Sequence, residues 1–155
     1  IGDWHADSTL WNRDLSNQYD YGHVDIPRLQ KGNVALQMFT SVSKSPRGQN
    51  YNKNETSAND NITSLVILQR WPIKTWSSLA ERVIYQARKI RTLEQEDSQN
   101  FMLILSQSDL NDFMQKRKSN SDLIGGLLGT EGSHALDGEL QNIERLFDEV
   151  RTFYV

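Results

Sequence analysis

Val34-Ala35-Leu36-Gln37-Met38-Phe39-Thr40-Ser41-Val42 decides how this chain folds. Its apolar side chains fall on both faces of an extended segment, because successive residues of a strand point to opposite sides. Such a run suits a parallel strand covered on each side. Phe101-Met102-Leu103-Ile104-Leu105 is a second run of this kind. Leu123-Ile124-Gly125-Gly126-Leu127-Leu128-Gly129-Thr130 is a third, and its glycines allow close backbone approach. Ile1 to Asp7 reads as a short first strand with a polar end, and Arg151 to Val155 begins a fifth.

Helical patterns separate these runs. Leu10, Trp11 and Leu15 offer a turn or two. Asp25 can cap a short helix that has Pro27 in its first turn and Gly32 at its end. A helix from Ile62 carries Leu65 and Leu68 and should stop or kink at Trp71-Pro72. Trp76, Leu79, Val83, Ala87, Ile90 and Leu93 recur at steps of three and four, which predicts one amphipathic helix. Ser108 is the expected cap of a helix bearing Leu110, Phe113 and Met114, with Lys116 to Ser121 as a basic connector. Leu140, Ile143, Leu146, Phe147 and Val150 form the apolar stripe of a last helix. Strands alternating with helices predict an α/β fold of parallel βα units in one domain over residues 1–155.

Residues 43–61 break this rhythm with a long polar loop rich in Ser, Asn and Lys, a length that marks functional or disordered segments. Asn54-Glu55-Thr56 and Asn61-Ile62-Thr63 match the glycosylation acceptor pattern, as an Asn-rich stretch also does by chance. The 155 residues suffice for a real core. Charged residues make up 24% of the chain with a net charge of -3 and both signs mixed, which argues against a nucleic-acid surface. Lys116-Arg117-Lys118, the densest basic cluster, reads as a solvated helix end. The absence of cysteine removes disulfides and thiolate metal sites. No apolar run approaches membrane-spanning length, and no signal peptide precedes Ile1.

Functional side chains of parallel βα folds gather at the carboxyl ends of strands. In Asp3-Trp4-His5-Ala6-Asp7, His5 and Asp7 share one face of a strand end, and Trp4 and Ala6 should turn the other way into packing. An imidazole beside a carboxylate can hold a divalent metal, although the triplet alone equally describes an exposed polar strand end. Glu131 ends the fourth strand on the same rim. It can bridge two ions, which in paired-metal hydrolases lie about 3.5–4 Å apart, or cap the following helix through its dipole. His134 is a candidate supporting donor, whereas His23 follows a glycine in a turn and has no visible partner. The four tryptophans read as core and helix anchors. The chain has no nucleophile elbow, phosphate loop or dinucleotide fingerprint.

Four blocks together resemble the membrane (renal-type) dipeptidase family of metallopeptidases. They are Asp3-Trp4-His5-Ala6-Asp7-Ser8, Gly22-His23-Val24-Asp25-Ile26-Pro27-Arg28-Leu29, Asn33-Val34-Ala35-Leu36-Gln37-Met38-Phe39, and Leu127-Leu128-Gly129-Thr130-Glu131-Gly132-Ser133-His134-Ala135. They occur in the family's order. The resemblance is greatest to bacterial members with a long insertion after the second strand. It implies a (β/α)₈ TIM-type barrel of the amidohydrolase kind, of which this chain is the first half. It also implies hydrolysis of dipeptides at a centre of two Zn²⁺ ions, with His5 and Asp7 as ligands of one zinc and Glu131 as the catalytic bridging carboxylate. A water acidified between the ions would be the nucleophile.

Three of five implied ligands are present; two histidines, a substrate-binding histidine and a catalytic aspartate region are expected beyond Val155. A complete barrel of this type takes about 250 residues. A glycine usual in the family is missing between Glu149 and Val150, which fits a truncated or frameshifted chain. The partners implied are a dipeptide substrate, with neither nucleic acid nor a membrane span, and the longer parent could form a homodimer. Long-insertion relatives are often exported, so a periplasmic location is compatible, but the sequence assigns no compartment. Two rival functions stay open: a non-catalytic structural or binding piece, and a metal enzyme acting in the maturation of secreted peptide metabolites. Imidazole and carboxylate ligands also suit divalent ions other than zinc.

Overall fold

Five strands, all paired in parallel, carry the rest of the molecule: β1 (Gly2–Ala6), β2 (Leu36–Val42), β3 (Phe101–Leu103), β4 (Ile124–Glu131) and β5 (Phe153–Tyr154). The computed structural model describes residues 1–53, 55 and 57–150, and the backbone of 153–154. The sheet order is β1-β2-β4-β3, with β5 also on β4. β2 runs the length of β4, from Leu36↔Gly125 to Val42↔Glu131. A strand has two edges, so β3 and β5 share the other edge of β4 end to end. β3 pairs with its beginning, through Phe101↔Ile124 to Leu103↔Gly126, and β5 with its end at Gly129↔Phe153 and Thr130↔Tyr154. The expected α/β fold with parallel strands is therefore observed, but the third strand does not follow the second in space.

The helices are α1 (Ile26–Lys31), α2 (Asn61–Leu68), α3 (Lys74–Ser77), α4 (Leu79–Glu96), α5 (Gln107–Ser119) and α6 (Gln141–Val150). Asp25 caps α1 as expected, accepting the Arg28 N–H at 3.0 Å. α4 buries Ala80, Val83, Ile84, Ala87, Ile90 and Leu93 against Phe39, Phe101, Ile124 and Leu128 of the sheet and Leu146 and Val150 of α6. At about 25 cal/mol per Å² of apolar surface removed from water, this face dominates the stabilisation. The opposite face is thinner. Leu36 and Leu127 are only partly buried there, against Ile104, Phe113 and Leu123. The both-faces burial expected of β2 thus holds for one face and partly for the other.

Several local expectations are corrected. Ser78 caps α4 by accepting the Glu81 N–H, so Trp76 belongs to α3, a separate helix. Ser106, extended at φ -149°, ψ 166°, caps α5 through the Asp109 N–H, while Ser108 lies inside the helix. α5 runs on to Ser119, so most of the connector expected over 116–121 is helical, while Lys116-Arg117-Lys118 is the helix end it was read as, in a last turn where cations suit the helix dipole. After Asp7 the backbone makes only the 3₁₀ turn Ser8–Leu10. Trp71 is the one tryptophan in the core; Trp4 and Trp11 are more than half exposed. On α6, Ile143 and Phe147 face outward while Leu146 and Val150 are buried, so the expected stripe is split. Asn54 and Thr56 of the first acceptor pattern lie outside the described residues. In the second, the Thr63 hydroxyl is engaged with Asp60 and Arg82.

The polar loop closes on a buried cation. Arg82 is 1% exposed and uses all its donors. Nε donates to Thr75 O at 2.7 Å; one terminal nitrogen donates to Ser43 O at 2.7 Å and Asp60 Oδ2 at 2.6 Å; the other donates to Thr63 Oγ1 at 2.8 Å and Trp76 O at 3.2 Å. Burial works to raise the Asp60 pKa, but bonds from the Ser45 N–H, Arg82, the Ile62 N–H and Thr63 outweigh it and hold the carboxyl below its ordinary value. A carboxyl depressed in the folded state adds stability that is present above its unfolded pKa and lost as pH falls through the folded one. Arg82→Ala should cost about 3–5 kcal/mol, by stranding a buried carboxylate. Arg82→Lys should also destabilise, since an ammonium has three donors for five acceptors. Urea melts at pH 7 check both. Melts repeated at pH 3 should show Asp60→Asn losing less stability on acidification than the unsubstituted chain.

Candidate metal centre

The register of β1 slips between Asp3↔Gln37 and Ala6↔Phe39, three steps on β1 against two on β2. The extra residue is a bulge, which re-aims side chains next to it. Ala6 is buried, while Trp4 stays 59% exposed, contrary to the expectation that both would pack. His5 and Asp7 do share a side: His5 Nε2 lies 3.4 Å from Asp7 Oδ1. Asp3 accepts the backbone N–H of His5 at 3.1 Å, so it fixes the main chain rather than the ring.

β4 brings Glu131 to the same rim, opposite Val42 at the end of β2. One ligand atom from each of His5, Asp7 and Glu131 lies within 4.8 Å of the others. Residues 124 apart in sequence thus meet because β1 and β4 flank β2 and all three strands run the same way. The donor set, one imidazole and two carboxylates, is one that zinc accepts. The side chains of His5 and Asp7 are 45% and 40% exposed, which leaves a cation room to enter. The strand ends abruptly after Glu131 because Gly132 turns with φ 74°, a left-handed value that disfavours any side chain. Glu131 is therefore a strand-end carboxylate rather than a helix cap. Asp137, which no motif marked, instead supplements the Ser78 cap of α4: its carboxylate accepts from Leu79 N at 3.0 Å, Ala80 N at 3.2 Å and Ser78 Oγ at 2.8 Å. It ties the segment after Glu131 to the start of α4.

The turn after Asp7 is held from below. Lys89 Nζ donates to Thr9 O at 2.9 Å, Trp11 O at 3.2 Å and Asn12 Oδ1 at 3.0 Å, and sits over the rings of Trp71 and Tyr85. Burial pushes its ammonium down to about 8. A cleft of about 620 Å³ opens beside the centre, and His5, Asp7, Trp11, Arg13, Tyr21 and His23 are among its walls. His23, which the sequence left without a partner, thus shares a cleft with the two candidate ligands. Arg13 clamps that wall by donating to the Tyr21 and Val24 carbonyls. His134 stands outside the triad, with its ring folded back over Gly132.

No protein-family model matches this chain, and no curated protein matches it in sequence. Its class rests on the fold and the rim: an α/β protein with a parallel sheet and a candidate cation-binding triad at the strand ends. Among the described residues no helix is long and apolar enough to cross a membrane. Asp137→Ala should cost about 1 kcal/mol, the typical worth of an N-terminal cap. Chemical denaturation checks this, and Asp137→Asn should recover only part of the loss, because its single amide oxygen can replace one of the two carboxylate oxygens that accept here.

Proposed function

We propose that this chain carries the first part of a metal-dependent hydrolase site and that the parent activity is zinc-dependent cleavage of dipeptides. The observation that carries the reading is the convergence of His5, Asp7 and Glu131 within 4.8 Å at one rim of a parallel sheet. The family resemblance of the four sequence blocks supplies the substrate class. In this reading β1, β2, β4 and β5 are consecutive staves of a (β/α)₈ barrel, and β3 is an addition beside the start of β4. The thinly covered sheet face, with Leu36 and Leu127 only partly buried, is then the barrel interior.

His5 and Asp7 would hold one zinc, and Glu131 would span to a second. Zinc, when bound, supplies a water acidified to near neutrality and an electrophile for the scissile carbonyl. The chain's own residues do the positioning. The β1 bulge aims His5, Gly132 ends the strand directly after Glu131, and the cleft walled by Trp11, Tyr21 and His23 offers a dipeptide apolar and polar contacts. Three ligands for two ions make an unfinished centre. The two further histidines come, in this reading, from strands that these residues do not include.

Zinc content and dipeptide hydrolysis of this polypeptide test the proposal together. Weak zinc uptake with hydrolysis near background is expected. His5→Ala and Glu131→Gln should each lower uptake by more than the about tenfold that loss of an outer-shell partner typically costs. Failure of the unsubstituted chain to take up zinc would remove the metal reading. Full turnover from these residues alone would instead overturn the division of the site.

A further inference from the structure

Asp7 follows the last residue of β1 beside solvent, where a carboxylate can turn freely about two side-chain bonds. One contact prevents this. The Thr40 hydroxyl, reaching across from β2, donates to Asp7 Oδ1. Thr40 is fully buried, and its β-branched side chain is stiff about its first torsion. Its main chain is pinned as well, because the Thr9 hydroxyl lies 3.1 Å from Thr40 O and 3.0 Å from Gln86 Oε1. Gln86, also fully buried, donates in turn to Val42 O at 3.0 Å and Arg82 O at 3.1 Å. Gly129, opposite Thr40 in the register, leaves the space: a Cβ there would lie 3.2 Å from Thr40 Cγ2 and 3.0 Å from Met38 Sδ.

We propose that Thr40 is the positioning residue of Asp7, holding its carboxylate turned toward His5 and Glu131 before any cation arrives. This rests on reading Asp7 as a metal ligand. Without the hydroxyl, Oδ1 loses its donor and the carboxylate can rotate out to water. A cation must then pay the entropy of ordering it, which lowers affinity without touching the ligand itself. Partners that orient metal ligands typically contribute about 10- to 100-fold in affinity.

The test uses the full chain with Thr40→Val, which keeps the shape and removes the donor, and Thr40→Ser, which keeps the donor. Cobalt(II) is the probe, followed by its visible absorption, alongside crystal structures of the metal-free proteins. Thr40→Val should bind cobalt about 10- to 100-fold more weakly, with Asp7 turned away from β2. Thr40→Ser should bind within about threefold of the unsubstituted chain and keep the Asp7 orientation, the rescue expected when the hydroxyl alone matters. An unmoved Asp7 in Thr40→Val, or equal losses in the two variants, overturns the proposal. If the unsubstituted chain takes up no cobalt, the metal reading fails, and the Asp7 orientation in Thr40→Val still decides the role of Thr40.

Discussion

A single buried guanidinium sets the geometry on which the rest of the molecule depends. Arg82 has five N–H donors and meets five acceptors, from the end of β2, the end of the polar loop, the start of α2 and the α3 turn. An arginine this deep is tolerable only when every donor is satisfied and its charge is paired. Asp60 supplies the charge and also caps α2, accepting from Ile62 N and Thr63 N. Moving any one of these segments would leave several buried polar groups unpaired together. That mutual dependence fixes α4 against the carboxyl end of the sheet.

The same helix repeats the device along one stripe. Arg82, Gln86 and Lys89 stand at successive turns of an otherwise apolar buried face, and each reaches the rim of the sheet. Arg82 holds Ser43, Gln86 holds Val42 and Thr9, and Lys89 holds Thr9 and Trp11. The end of β2 and the turn after Asp7 are thus stitched to the helix beneath them. Hydrophobic burial supplies most of the free energy but has no direction; hydrogen bonds supply the direction. Asp137 performs the complementary service from the other side, docking the segment after Glu131 onto the first turn of α4.

A centre built this way is rigid behind and open in front. The side chains of His5 and Asp7 are nearly half exposed, while Thr9, Thr40 and Gln86 behind them are buried. Rigid support with an accessible first layer is the arrangement a cation site needs, since geometry must be held before binding without blocking entry. The cleft beside it gathers Trp11, Tyr21 and His23, none of which lies in a regular element. Arg13 fixes the Tyr21 and Val24 carbonyls, so this wall is a built surface despite its irregular backbone.

Much of this was legible in the residues alone. The apolar runs over 34–42 and 101–105 announced the strands found at Leu36–Val42 and Phe101–Leu103, the three-and-four spacing from Trp76 to Leu93 announced α4 apart from its first member, and Asp25 with Pro27 announced α1, because periodicity and capping are local properties. His5, Asp7 and Glu131 could be nominated from the ends of the expected strands and from a resemblance in sequence. Their meeting within 4.8 Å depends on β1 and β4 lying on either side of β2, which no local pattern states. The placing of β3 beside the start of β4, the bulge that leaves Trp4 in solvent, and the splitting of α3 from α4 are likewise choices among competing packings. Arg82, Thr40 and Asp137 stayed invisible for one reason: a polar residue declares its role only when the partners it satisfies are assembled around it. Composition and periodicity determined which segments are strands and helices; tertiary structure decided which polar groups had to meet, because burying them unpaired costs more than almost any alternative packing.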